Sequence, residues 1–233
     1  MNTTGKDTVD RIHRFASMLS VVLSVALSVV LSACTTTTVD EYRETNKKLG
    51  VTRGDQVVVL GRRHASEYET EPDFIACIGQ HLNGVANIRV VGEPAFMDSV
   101  YPWFEPRTAP LGLQRMARML GEPMIADRIR AQNIRYMIWV DGNTETTDRE
   151  GSVSCAVGPG GGGCFGFATW EKEAIYEATI WDINKLTENG RVKVKAKGSS
   201  YMVAVGLPVP IVAQVQDQAC EGIGKQLRSF FSG

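Results

Sequence analysis

Three short, almost wholly apolar segments constrain the fold of this chain more than any other feature. They are residues 56–60 (Gln-Val-Val-Val-Leu), 88–91 (Ile-Arg-Val-Val) and 135–140 (Arg-Tyr-Met-Ile-Trp-Val). Apolar, β-branched runs of this length are typical of strands buried on both faces of a sheet. Between the first two, Pro72 suits a helix start, and apolar residues recur at helical spacing from Phe74 to Leu82. This order predicts two parallel strands joined by a right-handed crossover.

The remaining segments predict a mixed sheet with a long C-terminal β-hairpin. Helices are expected at 111–120 and 124–132, after an irregular aromatic segment at 94–110. Residues 171–182 alternate like a half-exposed strand, and Asn189-Gly190 predicts a type I′ turn into a return strand that reaches about residue 205. Lysines of that strand are expected to face Glu173 and Glu177. Leu207-Pro208-Val209-Pro210 is predicted to break the chain before an amphipathic helix that closes it. The fold class is therefore α/β, one domain with the order β-α-β-α-β-β-β-α.

The N-terminus predicts export. Three basic residues precede an apolar run at 15–31, which is short for a bilayer span and suits a signal-peptide core. The run ends in Leu31-Ser32-Ala33-Cys34, which resembles the bacterial lipobox. The resemblance implies cleavage before Cys34, diacylglycerol on its thiol and a fatty acyl group on the new amino group. A plain signal peptide and an uncleaved anchor helix are the alternatives.

These features predict the organisation and the location of the chain. We expect a signal peptide at 1–33, lipidated Cys34 with a flexible tether at 34–54, and a single domain at 55–233. Several acyl chains hold a protein stably on a membrane. Thr35 after the cysteine resembles the enterobacterial signal for the outer membrane, which implies the inner leaflet, facing the periplasm. The chain has 25 basic and 26 acidic residues, and no basic patch suggests a nucleic-acid partner.

Four further cysteines predict two disulfide bonds, because an even number is typical of exported proteins. We predict Cys155–Cys164, since the glycine-rich segment between them folds back easily, and this leaves Cys77–Cys220 to join an early helix to the last one. Four buried thiols are the alternative. A metal site is not expected, because the sequence has no CxxC pair and few histidines.

Three groups of residues are candidate contact sites. The glycine run at 158–163 lacks the Gly-Lys-Ser/Thr ending of a phosphate-binding loop, so it predicts a hairpin tip or a mobile contact loop. The candidates are Phe165, Phe167 and Trp170 beside that loop, Tyr101, Trp103 and Phe104 as a second aromatic surface, and Arg62, Arg63 and His64 as anion contacts at the end of the first strand.

No catalytic residue or cofactor is predicted, apart from the covalent lipid on Cys34, because no Gly-x-Ser-x-Gly or His-Glu-x-x-His motif occurs. The element order and the lipobox resemble the TolB N-terminal domain and envelope lipoproteins of the CsgG and LpoB kind. Cys164-Phe165-Gly166-Phe167 and Val209-Pro210-Ile211 also look like a group of uncharacterised proteobacterial lipoproteins. The resemblance implies a non-catalytic binding or assembly module for another envelope component. The alternatives are a periplasmic hydrolase or small-ligand-binding lipoprotein, and a structural envelope protein.

Overall fold

The computed structural model describes residues 37–43, 48–52, 54–63, 69–85, 88–105, 108–110 and 113–232. The predicted signal peptide, Cys34 and His64 lie outside the described residues, so the expectations about them stay predictions. The described residues belong to one compact unit, Thr37–Gly233.

A mixed six-stranded sheet forms the centre of this unit. Its strands are β1 (Thr37–Arg43), β2 (Gln56–Gly61), β3 (Arg89–Val91), β4 (Ile134–Gly158), β5 (Gly161–Asp182) and β6 (Thr187–Ile211). They lie in the order β1-β6-β5-β4-β2-β3. β2 runs parallel to both β3 and β4, and the other neighbours are antiparallel. The predicted mixed α/β sheet with a parallel strand–helix–strand unit is therefore confirmed.

Helices cover both faces of the sheet. They are α1 (Pro72–Asn83), α2 (Glu93–Ser99), α3 (Leu113–Gly121), α4 (Pro123–Ala131) and α5 (Val215–Phe231). Val57 and Val59 of β2 belong to the core under α1 and α5, while Val58 and Leu60 belong to the core under α2, α3 and α4. Burial on both faces explains why β2 is continuously apolar, since alternate side chains of a strand enter opposite layers.

Helix α1 and the C-terminal helix α5 follow the predicted pattern. Proline stands in the first turn of α1, Gly84 caps its C-terminal end, and its apolar stripe packs against that of α5. The predicted disulfide Cys77–Cys220 joins the two helices, with a Cα–Cα distance of 6.4 Å. The early crossover helix and the last helix therefore form one layer.

The predicted turn at Asn189-Gly190 is wrong. The chain reverses at residues 183–186 instead, where Asp182 Oδ1 accepts hydrogen bonds from the backbone N–H groups of Asn184 (3.0 Å) and Lys185 (3.1 Å). Gly190 lies within β6 opposite Ile180, at a shift of register. The aspartate stabilises the earlier turn with its side chain, which is a common way for Asp to compete with a backbone turn motif.

Two segments that were expected to be irregular contain regular structure. Thr37–Arg43 of the predicted flexible tether forms the edge strand β1, which pairs with β6, and Glu93–Ser99 of the predicted aromatic loop forms α2. Strand structure also continues to Ile211 through Pro208 and Pro210. The chain nevertheless reverses near Gly206 (φ +89°), since the backbone N–H of Ala213 donates to Ser200 Oγ at 3.0 Å, so the break predicted at 207–210 coincides with a reversal. An edge strand needs only backbone groups to pair with, so the polar composition of β1 does not prevent it.

Candidate functional site

The three long strands extend beyond the rest of the sheet. At the start of β1, Thr37 lies opposite Gly198 of β6, and Gly198 lies opposite Lys172 of β5. Beyond this level the antiparallel strands continue as a projection that we call the arm, residues 148–158, 161–171 and 199–211. The sequence predicted neither the arm nor the length of β4, which was expected to end near residue 140.

The tip of the arm is the predicted glycine-rich hairpin. β4 and β5 pair up to Gly158 and Gly161, so residues 159–160 form the turn. Cys155 lies directly opposite Cys164, and the two form the second predicted disulfide, with a Cα–Cα distance of 4.0 Å. Both expected cysteine pairings are therefore present. The glycine run lies in a strand turn and does not precede a helix, so it lacks the geometry of a phosphate-binding loop.

One face of the arm displays four exposed apolar side chains. Phe165 lies opposite Val205 and Phe167 lies opposite Val203, and residues directly opposite in adjacent strands point to the same face. Their exposed fractions are 66%, 78%, 52% and 41%, in that order. We call these four residues the apolar arm patch. Contiguous exposed apolar surface is uncommon in a soluble domain and marks a contact site.

The arm carries no charged side chain beyond its root, which is the end where it joins the rest of the sheet. The sequence has no charged side chain in residues 151–170 or in residues 198–216. The last level without a charged side chain is that of Gly151, Ala168 and Met202. On the next two levels Tyr201, whose ring lies 6.3 Å from that of Phe167, is level with Glu150, and half-buried Trp170 lies opposite Arg149. The arm therefore changes from apolar to charged over the two adjacent levels that bear Tyr201 and Trp170, whose side chains point to opposite faces.

Ion pairs hold the root of the arm. Glu173 on β5 forms ion pairs with Lys195 and Lys197 of β6. The prediction that lysines of the return strand face Glu173 is therefore confirmed. Hydrogen bonds from Lys195 lower the pKa of the Glu173 carboxyl, and those from Lys197 contribute further. The second predicted glutamate, Glu177, instead pairs with Arg191 at 3.2 Å. Charge is thus concentrated where the arm meets the domain.

A buried tyrosine ties helix α1 to the sheet close to this root. The Tyr176 hydroxyl donates to Glu71 Oε2 at 2.8 Å and lies 2.8 Å from the Thr144 hydroxyl, while its ring stacks on Phe74. Burial raises the pKa of the Tyr176 phenol, and the hydrogen bond to Glu71 raises it further. The phenol is therefore held neutral, as a structural group rather than a base.

The candidate anion site lies among carboxylates. The Arg62 guanidinium lies 3.3 Å from Asp141, and Arg63 contacts buried Glu93 at 2.6 Å and Glu69 at 3.4 Å. A cleft of about 490 Å³ opens beside Arg63, between α1 and β3. An anion at this edge would compete with carboxylates that already hold the two arginines, so the geometry favours a structural role for them.

The second aromatic surface is divided between the exterior and the core. Tyr101 is exposed, and Trp103 is half-buried with Arg128 over its ring at 5.2 Å. Phe104 is buried against Phe96 in the core beneath α2. Phe104 therefore does not belong to a contact surface in this structure, and the segment offers much less exposed apolar area than the arm.

One cluster of possible metal ligands occurs among the described residues. Cys77, His81 and Cys220 place their ligand atoms within 4.8 Å of one another. The two cysteines are joined in the disulfide between α1 and α5, so neither sulfur is available as a thiolate. His81 packs closely against Gly224 of α5, which indicates a role in helix packing.

Comparisons with known proteins supply only remote likenesses. No family model and no curated protein matches the chain. Similar solved structures include the PelC dodecamer from Paraburkholderia phytofirmans (TM-score 0.37, 16% identity, 85% of this chain and 99% of that one). The hypothetical protein CT253 from Chlamydia trachomatis is also similar (TM-score 0.37, 10% identity, 76% of this chain and 96% of that one). So is a putative neuraminyllactose-binding hemagglutinin homolog from Helicobacter pylori (TM-score 0.36, 8% identity, 79% of this chain and 89% of that one). Likenesses this remote bring no function to this chain.

Sequence reasoning found half of the apolar arm patch. Phe165 and Phe167 were predicted as contacts because they flank the glycine run, whereas Val203 and Val205 were assigned only to a strand. The absence of charge over residues 151–170 and 198–216 was the signal that could have identified both strands of the patch.

Within the described part of the chain, none of the helices has the length and apolarity needed to cross a bilayer.

Proposed function

We propose that this protein is an acyl-anchored protein of the cell envelope that works by binding, without chemistry of its own, and that the arm is its contact site. The observation that carries the proposal is the apolar arm patch, displayed on the part of the arm that has no charged side chain, residues 151–170 and 199–211. A rigid sheet that presents exposed aromatic and β-branched side chains has the character of a binding surface.

The anchor and the arm serve one purpose in this proposal. The lipobox-like motif at Cys34 supports attachment to the outer membrane by lipid, with the domain in the periplasm. Two disulfides support an oxidising compartment of this kind. The anchor would hold the domain at the membrane surface, and the arm would engage an envelope component there.

Site-specific photo-crosslinking in intact cell envelopes tests the arm as contact site. A photoreactive phenylalanine analogue replaces Phe167 in the full chain, and the matched control carries it at Tyr42, an exposed aromatic residue of β1 away from the arm. We expect defined adducts, with protein or lipid, from position 167 and none from position 42. The same products from both positions, or none from position 167, would contradict the proposal.

A further inference from the structure

We propose that the occupant of the apolar arm patch is the lipid surface of the membrane that holds the chain, so that the tip of the arm is a second, non-covalent membrane contact. This inference rests on the proposed function, because it requires both the anchor at Cys34 and the arm as contact site. Three features of the chain support it: the direction of β1, the short reach from Thr37 to Cys34 and the charge pattern of the arm.

The direction of β1 places its N-terminal end towards the arm. β1 is antiparallel to β6, with Thr37 opposite Gly198 and Arg43 opposite Val192. Gly198 is the position at which β6 enters the arm, while Val192 lies towards the turn at 183–186. The chain that leads back from Thr37 to the anchor therefore starts from the level at which the arm begins.

The anchor cannot lie far from that level. Between Cys34 and Thr37 even a fully extended chain spans at most about 10 Å. The arm is longer, because β5 from Lys172 to its start at Gly161 covers about 36 Å at the usual rise of a strand. A bilayer that holds Cys34 therefore passes close to the base of the arm, and an arm that points into the interface or lies along it would bring the apolar arm patch into contact with lipid.

The chemical pattern of the arm matches the depth profile of a membrane interface. A charged side chain is costly at depth, and residues 151–170 and 198–216 contain none. Tryptophan and tyrosine favour the boundary between headgroups and hydrocarbon. Tyr201 and Trp170 occupy the first two levels that also carry charged residues, with Tyr201 on the face of the apolar arm patch and Trp170 on the opposite face. From the tip to the base of the arm, exposed apolar side chains are therefore followed by the two aromatic residues together with the first charges.

The backbone of the central arm strand is also suited to a medium poor in water. β5 carries Phe165 and Phe167 and is paired on both sides, with β4 from Gly161 and with β6 from Cys164. Unpaired backbone groups are costly away from water. The strand that bears the two phenylalanines can therefore enter the interface without leaving its own N–H and C=O groups unsatisfied.

Quenching of tryptophan by brominated lipid tests this inference directly. The acylated full-length product is purified in detergent and reconstituted into vesicles of phosphatidylethanolamine and phosphatidylglycerol, with or without brominated acyl chains. Phe167→Trp places the reporter in the patch, and Tyr42→Trp is the matched control. The emission of the parent protein, which has four tryptophans, is subtracted from both.

We expect brominated chains to remove about half of the added emission of Phe167→Trp and to leave that of Tyr42→Trp nearly unchanged, because interfacial contacts reach only the outer edge of the hydrocarbon. Near-ultraviolet circular dichroism confirms that each variant is folded, and Val205→Trp on the same face serves if Phe167→Trp is not. Equal quenching at both positions would overturn the inference, because it would show contact by the whole domain.

The outcomes separate this inference from the proposed function. An unquenched tryptophan at position 167, together with a defined protein adduct from that position in cell envelopes, would overturn the lipid surface as the occupant and leave the arm as a protein contact site. An unquenched tryptophan and no adduct would overturn both proposals. Quenching together with lipid adducts supports both.

Discussion

At the scale of single residues, close approach of two strands requires a glycine at position 142. Gly142 has a φ of +136°, and a Cβ built on it would lie 2.0 Å from the carbonyl oxygen of Ile175 on β5. Its own carbonyl accepts a hydrogen bond from the Thr70 hydroxyl at 2.9 Å. A side chain here would force the central strands β4 and β5 apart near the root of the arm.

We therefore expect Gly142→Ala to destabilise the protein by about 3 kcal/mol, through backbone strain and displacement of β5. Gly160→Ala is the matched control, because a Cβ at Gly160 in the turn of the arm would meet nothing within 4 Å. That variant should stay within about 0.5 kcal/mol of the parent. Urea unfolding followed by circular dichroism measures both, and equal stabilities of the two variants would contradict the close approach.

At the scale of elements, the two disulfides differ in what they connect. Cys77–Cys220 joins α1 to α5 across a sequence separation of 143 residues, whereas Cys155–Cys164 closes a separation of 9 residues within one hairpin. The first closes a loop over more than half of the unfolded chain, and the second closes a segment that the strand register already brings together. Because closing the longer loop removes more entropy from the unfolded chain, Cys77–Cys220 should contribute more to the free energy of unfolding than Cys155–Cys164.

Replacement of each pair by serines should show this difference. Loop entropy predicts a loss of about 5 kcal/mol for Cys77→Ser with Cys220→Ser, and about 3 kcal/mol or less for Cys155→Ser with Cys164→Ser. The second variant should also become more sensitive to limited proteolysis in the arm alone, because its loss is local. Urea unfolding and peptide mapping of the cleavage sites distinguish the two. A larger global loss for the arm pair would contradict this assignment.

At the scale of the whole molecule, Cys34 determines where the domain works in the proposed function. Cys34→Ser removes the thiol that would receive diacylglycerol, so we expect loss of labelling by radioactive fatty acid and accumulation of an unprocessed precursor. Alanine in place of Cys155 and Cys164 is the control, since these cysteines are joined in a disulfide and should not affect labelling. Normal processing of the Cys34→Ser chain would contradict the lipoprotein assignment.

The sequence by itself determined the elements whose signal is local. The apolar runs of β2 and β4, the stripes of α1 and α5 and the proline and glycine at the ends of α1 follow from side-chain periodicity and backbone preference. Both disulfide pairings were predicted, Cys155–Cys164 from the glycine-rich segment between the two cysteines and Cys77–Cys220 as the remaining pair. Phe165 and Phe167 were predicted as candidate contact residues from their place beside the glycine run, and the structure places both on the exposed surface.

Only the tertiary structure decided the features that depend on pairing between distant strands. Residues 151–163 are rich in glycine and serine, and no local pattern separates such a loop from a strand that neighbours complete. The same holds for β1, whose polar residues are ordered by the backbone of β6. The register Phe165↔Val205 and Phe167↔Val203 unites two separate segments into one surface. The arm therefore forms through backbone hydrogen bonds between strands that are distant in the sequence. Such pairing leaves no pattern in the amino-acid sequence of either strand alone.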